Sequence, residues 1–392
     1  DVEPHALMLP RVRRRSNEHD GVHVAGSPYV APENIEAILS EPRPAPAAEA
    51  RSIEPMHRVE ATGLVTSPVF LLRDTEAPMP TIGFGTWQLD GEDAVSAVTA
   101  ALEEGYRHFD CAEAYGNEAQ VGQALATFLE KQQADANGVQ RRHIFLASKM
   151  SNPRPEPHDS GSGESYDSYL RNKVAHQLGL LRTDYLDLYM LHSPLGAHTA
   201  EAWAVLESML AEGTIRAIGV SNFGVGELEQ LLKTAKVVPH VVQNKFDIYH
   251  RGTQFSTSPE NLMGFCRQHQ IRLVSYSPLS AYPFVLKPTR DPIAAAAGAA
   301  YGVSAARVVL AWIVEQGVAV IPRSTQREHM RENLVAVGQP ISHSSSSSAD
   351  DDFNFKKPLV FTNEMHTSLL PLHVRTSLDW LSDISSTPYT IN

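Results

Sequence analysis

The chain has 392 residues, of which 42% are hydrophobic, 20% charged and 7% aromatic, and a formal charge of −12. Such a composition is globular and long enough for one large domain or two ordinary ones. Two cysteines, Cys111 and Cys266, exclude a disulfide scaffold, and the acidic balance argues against a general nucleic-acid binder while leaving room for a local cationic pocket.

Residues 1 to about 75 carry no sustained hydrophobic period and are broken by Pro28, Pro32, Pro42, Pro44, Pro46 and Pro55. This predicts a mostly flexible N-terminal extension. Arg11, Arg13, Arg14 and Arg15 raise a targeting segment as an alternative, but Asp1, Glu3, Glu18 and Asp20 are wrong for a transit peptide and no apolar signal core is present. With so few thiols the expected location is the cytoplasm.

From residue 76 to Gly338 the texture becomes a regular alternation. Short apolar runs recur at Thr81–Trp87, His108–Ala112, Ile144–Lys149, Tyr185–His192, Ile215–Asn222, Val241–Phe246, Ile271–Ser277 and Val318–Ser324. Helical stretches lie between them, among them Glu92–Glu104, Glu118–Glu130, Tyr169–Gly179, Glu201–Ala211, Gly226–Ala235 and Pro259–His269. Gly105 and Gly213 fall just past the last turns of two of these, where a left-handed cap is wanted. Strands alternating with helices imply parallel βα units, and eight of them over about 260 residues predict an α/β fold of the closed (β/α)8 TIM-barrel type. The runner-up, an open doubly wound sheet, usually shows a glycine-rich phosphate turn after its first strand, and none of that form is present.

The most apolar stretch, Ile293–Ile313, is alanine-rich and carries Arg307, so it reads as a helix of a soluble protein and no membrane contact is expected. Residues 339–392 form a tail with a serine-rich insert, Ser344–Ser348 followed by Asp350–Asp352. Beyond it Val374, Leu378 and Leu381 fall at helical spacing beside Trp380, which predicts a short docked amphipathic helix.

In a barrel of this type the loops at the C-terminal ends of the strands form the active face. The residues closing each run are therefore the candidates: Asp110, Lys149, His192, Ser221 with Asn222, Gln243 within its run, Tyr276 with Ser277, and Arg323 with Ser324. Tyr115 follows Asp110 by five residues, before the next helix. Read singly, each has a plain structural alternative: Asp110 as a helix cap, Lys149 as a solvated cation, His192 as a core histidine, Tyr115 as loop packing. Together they make a chemical set. A lysine ammonium lowers a neighbouring phenol's pKa, a carboxylate keeps that lysine charged, and a neutral imidazole donates a hydrogen bond to a carbonyl oxygen. Such a set suits protonation of an oxygen on which negative charge develops.

The motifs in order resemble those of the aldo-keto reductases. Gly105 to Gly122 (GYRHFDCAEAYGNEAQVG) is similar to that family's first signature, Ile215 to Phe223 (IRAIGVSNF) to the second, and Ile321 to Asn333 (IPRSTQREHMREN) to the third, while GFGTW at Gly83–Trp87 resembles the usual first strand. The resemblance implies Tyr115 as proton donor in carbonyl reduction, Lys149 and Asp110 tuning it, and His192 orienting the substrate. It also implies a bound nicotinamide dinucleotide. Ser221, Asn222 and Gln243 would hold the carboxamide, with Thr86 nearby on the cofactor side, and Tyr276 would stack on the nicotinamide. Ser277 and Leu279 would begin the loop over the pyrophosphate, Arg323 and Ser324 would meet the adenosine 2′-phosphate, and Glu332 and Asn333 the adenine. Trp87 would line the substrate mouth.

Three departures stand out: Cys111 where the family usually has threonine, His329 where an arginine commonly supports the phosphate, and the extension and serine-rich insert. The expectation is thus a monomeric, NADPH-dependent reductase of small-molecule aldehydes or ketones, with NADH a poorer donor, no metal, and no nucleic-acid or membrane partner. Two rival readings are a Schiff-base lyase using Lys149 and a noncatalytic NADP-binding regulatory module.

Overall fold

The computed structural model describes residues 67–75, 77–135, 138–150, 165–250, 262–281 and 286–338, with Leu370, Val374, Arg375, Leu378 and Asp379. The described chain opens on a hairpin, β1 (Val69–Leu71) antiparallel to β2 (Pro78–Pro80). The barrel strands then alternate with helices: β3 (Phe84–Gly85), α1 (Gly91–Glu104), β4 (His108–Asp110), α2 (Glu118–Gln132), β5 (Phe145–Met150), α3 (Tyr166–Leu181), β6 (Leu188–Leu191), α4 (Thr199–Glu212), β7 (Ile218–Ser221), α5 (Val225–Leu232), β8 (Val241–Lys245), α6 (Leu262–Gln268), β9 (Arg272–Tyr276), α7 (Pro292–Tyr301), α8 (Ala305–Glu315), β10 (Val318–Ile321) and α9 (Arg327–Gly338).

The strands β3 to β10 form one parallel sheet in which each lies beside its predecessor. Ile82 bridges Val320, and the N–H groups of Gly83 and Gly85 donate to the carbonyls of Val320 and Pro322 at 2.8 and 3.1 Å, so the first strand meets the last. This is the predicted (β/α)8 barrel. Gly85 sits in that seam, where a Cβ would fall 2.8 Å from the Ile321 carbonyl oxygen. Only glycine allows the two backbones so close.

Strand parity divides the core. Phe145 and Ala147 of β5, Leu188 and Met190 of β6, Val241 of β8, Val274 of β9 and Ala319 and Ile321 of β10 fill the barrel interior. Residues of opposite parity, such as Leu146, Tyr189, Val242 and Val320, pack outward on the helices. Continuing the inward parity to the strand ends gives Asp110, Lys149, His192, Ser221, Gln243, Lys245 and Tyr276. The candidate site is the top layer of the barrel's own interior.

The bottom is closed by the hairpin. Phe70, Leu72, Ala77 and Met79 join the interior cluster, and the guanidinium of Arg272 lies over the Phe70 ring at 5.0 Å. Among the described residues, packed structure thus includes residues 67–72. Pro78 and Pro80 are compatible with it because a two-stranded hairpin is all edge.

The apolar stretch Ile293–Ile313, read from sequence as one helix, is two, α7 and α8, bent by 104°. Gly302 caps α7 in the left-handed region (φ 64) and the Ser304 side chain caps α8 by accepting from the Arg307 N–H. Among the described residues no single helix is long and apolar enough to cross a membrane. In the tail, Leu370, Val374 and Leu378 are buried, and the Asp379 carboxylate accepts from Trp312 Nε1 at 2.9 Å and Gln316 Nε2 at 3.3 Å. Leu381, Trp380, the serine-rich insert and residues 1–66 lie outside the described residues.

Candidate active site

At the C-terminal mouth of the barrel is a cavity of about 810 Å³, which contains most of the residues singled out from sequence: Trp87, Asp110, Tyr115, His192, Ser221, Asn222, Gln243, Tyr276, Ser277, Leu279, Arg323, Ser324, His329, Glu332 and Asn333. Lys149 and Thr86 do not line it. Both are fully buried beneath its floor, where Thr86 Oγ1 donates to the Asp110 carbonyl at 2.9 Å.

Lys149 ties together the buried layer under the floor. Its Nζ lies 2.5 Å from Asp110 Oδ1 and donates to the Cys111 carbonyl at 2.9 Å and to the Tyr115 hydroxyl at 3.2 Å. The other Asp110 oxygen accepts from Gln243 Nε2 at 2.6 Å. The ammonium's three donors are thus all used, and because it donates to the phenol oxygen, the phenolic proton is left to point elsewhere. His192 meets the Tyr115 ring edge-on, centroids 5.8 Å apart.

Burial raises the Tyr115 pKa, and the nearby Lys149 charge offsets that only in part, so the phenol ends at about 12. The Lys149 charge acts in the expected direction, lowering it, but the burial of this partly exposed ring outweighs it. Burial opposes the charge on Lys149, yet Asp110 and Tyr115 outweigh it and the ammonium is held more firmly than in water. Burial, then the Lys149 charge, pushes His192 down to about 3, so its imidazole is neutral.

The second half of the mouth is a linked amide set. Asn222, in the left-handed region at φ 61, donates to the His192 carbonyl at 2.9 Å and accepts the Tyr276 hydroxyl at 2.8 Å. Ser221 Oγ donates to the Gln243 carbonyl at 2.8 Å. Gln243 spends one amide hydrogen on Asp110; its second hydrogen and its oxygen lone pairs are left for a ligand. Arg323 and His329 are exposed at the far rim. Ser324 Oγ accepts from the Gln326 N–H at 3.0 Å and lies 3.2 Å from the Gln326 carbonyl, to which it donates, so this hydroxyl shapes the entry to α9.

Sequence reasoning missed several lining residues, including Gln88, Lys287, Thr289 and the first turn of α8 at Ser304–Ala306. It also missed the support behind β5: Glu118, buried, accepts from Ser148 Oγ at 2.6 Å and Gln177 Nε2 at 2.8 Å, and Tyr189 donates to Gln177 at 2.5 Å. Polar residues on the inner faces of α2 and α3 were the available signal.

A family model described as the aldo/keto reductase family matches residues 81–351. An uncharacterized oxidoreductase, YtbE of Bacillus subtilis, is 34% identical over 256 residues, covering 65% of this chain and 82% of that protein. Human aldo-keto reductase family 1 member A1 is 30% identical over 293 residues, with 67% and 83% covered. The crystal structure of an aldo/keto reductase from Brucella melitensis superposes with a TM-score of 0.59 at 29% identity, covering 81% of this chain and 100% of the other. The chain belongs to the aldo/keto reductase family and, as a member, is an oxidoreductase acting on small molecules.

Proposed function

We propose that this protein reduces the carbonyl of an aldehyde or ketone, with NADPH as reductant and Tyr115 as general acid. The observation that carries the reading is the Lys149 ammonium at 3.2 Å from the Tyr115 hydroxyl and 2.5 Å from Asp110, at the floor of a cavity large enough for a cofactor and a substrate.

The donor set fits a nicotinamide dinucleotide. Ser221, Asn222 and Gln243 are amide and hydroxyl groups suited to a carboxamide, with Thr86 bracing the floor beside them, and the partly exposed Tyr276 ring is held on Asn222 as a stacking wall. Ser277 and Leu279 would flank the pyrophosphate, Arg323, Ser324 and His329 the 2′-phosphate, and Glu332 and Asn333 the adenine. NADPH, when bound, supplies a hydride to the carbonyl carbon. Neutral His192 donates a hydrogen bond that orients the carbonyl oxygen, and Trp87 walls the substrate side. As negative charge grows on that oxygen, the Tyr115 O–H proton passes to it, the alcohol forms, and the phenolate left behind is stabilised by Lys149. Asp110 keeps the ammonium in place, and the phenolate regains its proton from water at the mouth.

The lyase reading is disfavoured by the same geometry: a Schiff base needs a neutral amine, and this ammonium is fully buried with three acceptors. A panel of aldehydes, ketones and sugars, with loss of reduced nicotinamide followed by absorbance, tests the proposal. Absence of turnover for every carbonyl at saturating NADPH and NADH would sink it, and borohydride trapping of substrate on Lys149 would establish the rival. The cytoplasmic location and monomeric state remain part of this reading, to be checked by fractionation and by sedimentation.

A further inference from the structure

One buried cation plays no part in that chemistry. Lys245 closes β8 two residues past Gln243, and its ammonium has the same inward parity, yet it does not line the cavity. Its Nζ lies 2.6 Å from Asp247 Oδ2 and donates to the carbonyls of Ser277 at 2.7 Å and Ser280 at 2.9 Å. Two of the ammonium hydrogens thus go to backbone carbonyls, and the Asp247 carboxylate balances its charge. Asp247 is itself fixed, its Oδ1 accepting from the N–H groups of Tyr249 at 2.7 Å and His250 at 3.0 Å. Ser277 is a non-glycine residue at φ 49, a conformation that persists only when its surroundings impose it. The turn from Ser277 to Ser280, closed by the Ser280 N–H on the Ser277 carbonyl at 3.2 Å, borders the cavity along its length.

We propose that Lys245 is a positioning residue for the dinucleotide: its buried ammonium draws the Ser277 and Ser280 carbonyl oxygens away from the cavity and fixes the turn in the shape that receives the pyrophosphate. Carbonyl oxygens facing a diphosphate repel it, and an ammonium that holds them aimed away from the cavity removes that repulsion. This inference rests on the dinucleotide reading above.

The test is calorimetric binding of NADPH and of 2′,5′-ADP, which has the 2′-phosphate but no diphosphate bridge, to the full chain and to a Lys245→Met/Asp247→Asn variant. The double change removes both buried charges together and keeps an oxygen acceptor for Tyr249 and His250, so that folding is preserved where Lys245→Met alone leaves a buried unpaired carboxylate. Loss of a charged hydrogen-bonded clamp should weaken NADPH about tenfold, with 2′,5′-ADP affinity held and the dissociation rate of NADPH raised. Equal NADPH affinity in variant and wild type, or a parallel loss for both ligands, overturns the inference while the functional reading stands. A wild-type protein that binds no NADPH withdraws both.

Discussion

Lys149 and Asp110 face each other at 2.5 Å with neither side chain more than 1% exposed. A buried pair of this kind adds little net stability, but removing one member strands the other. Lys149→Met should therefore cost about 3–5 kcal/mol in urea unfolding, together with nearly all turnover. Adding Asp110→Asn should return much of the stability and none of the activity. Equal stability of the single and double variants would show that the pair is not coupled as the geometry requires.

Tyr115→Phe keeps the ring against His192 and removes the hydroxyl. Turnover should fall roughly a hundred- to ten-thousandfold, with NADPH affinity largely kept. In the wild type the phenol holds its proton until about pH 12, so reduction should show no alkaline limb from this group near pH 10. A limb there that vanishes in Tyr115→Phe would contradict the dominance of burial over the lysine's charge.

His192 has its folded pKa depressed to about 3, from 6.5. Between those values the unfolded chain binds a proton that the folded chain refuses, so this residue's contribution is present above pH 6.5 and is lost as pH falls toward 3. Buried His108 is lowered in the same sense. Glu118, Asp187 and Asp291 are raised by burial and act oppositely, gaining stability as acid protonates them. The wild type alone thus mixes both signs. The difference in unfolding midpoint between wild type and His192→Gln isolates one: it should favour the wild type less at pH 5 than at pH 7. A difference independent of pH would remove the assignment.

Much of the site was legible because strand periodicity is two and the barrel's active end is fixed, so Asp110, Lys149, His192 and Gln243 could be placed from pattern alone. What pattern could not show was depth. Lys149 and Thr86 look like their neighbours in sequence, yet they lie under the cavity, and only packing reveals that burial outweighs charge at Tyr115. The hairpin escaped because its strands are three residues long and one begins and ends in proline, a texture that reads as extension. Lys245 escaped because its partners, the carbonyls of Ser277 and Ser280, are backbone atoms with no sequence signature. Ser304–Ala306 escaped because a helix's first turn carries no mark of the wall it faces.

The hairpin has its own test. Met79 is fully buried among barrel residues that bear no chemistry. Met79→Ala should destabilise by about 2–5 kcal/mol, while turnover per folded molecule at low temperature is unchanged. A loss below 1 kcal/mol would mean that the barrel bottom does not depend on this plug.

Cofactor choice turns on the rim. NADPH differs from NADH by the 2′-phosphate, and the groups available to read it are Arg323, exposed, Ser324, with its hydroxyl on Gln326, and His329, also exposed. A planar guanidinium is well matched to phosphate, but an exposed pair is screened by water and salt. The rim therefore makes a weaker clamp than a desolvated pair would. Arg323→Ala should lower NADPH affinity about three- to tenfold, less at high salt, and leave NADH unchanged. His329→Arg places a second permanent charge at the rim and should raise NADPH affinity by a similar factor, again without effect on NADH. Dissociation constants of both nucleotides for the three proteins, at low and high salt, decide the matter. If Arg323→Ala weakens NADH as much as NADPH, the residue supports the cleft as a whole, and the 2′-phosphate is read elsewhere, with Lys287, which also lines the cavity, the first alternative.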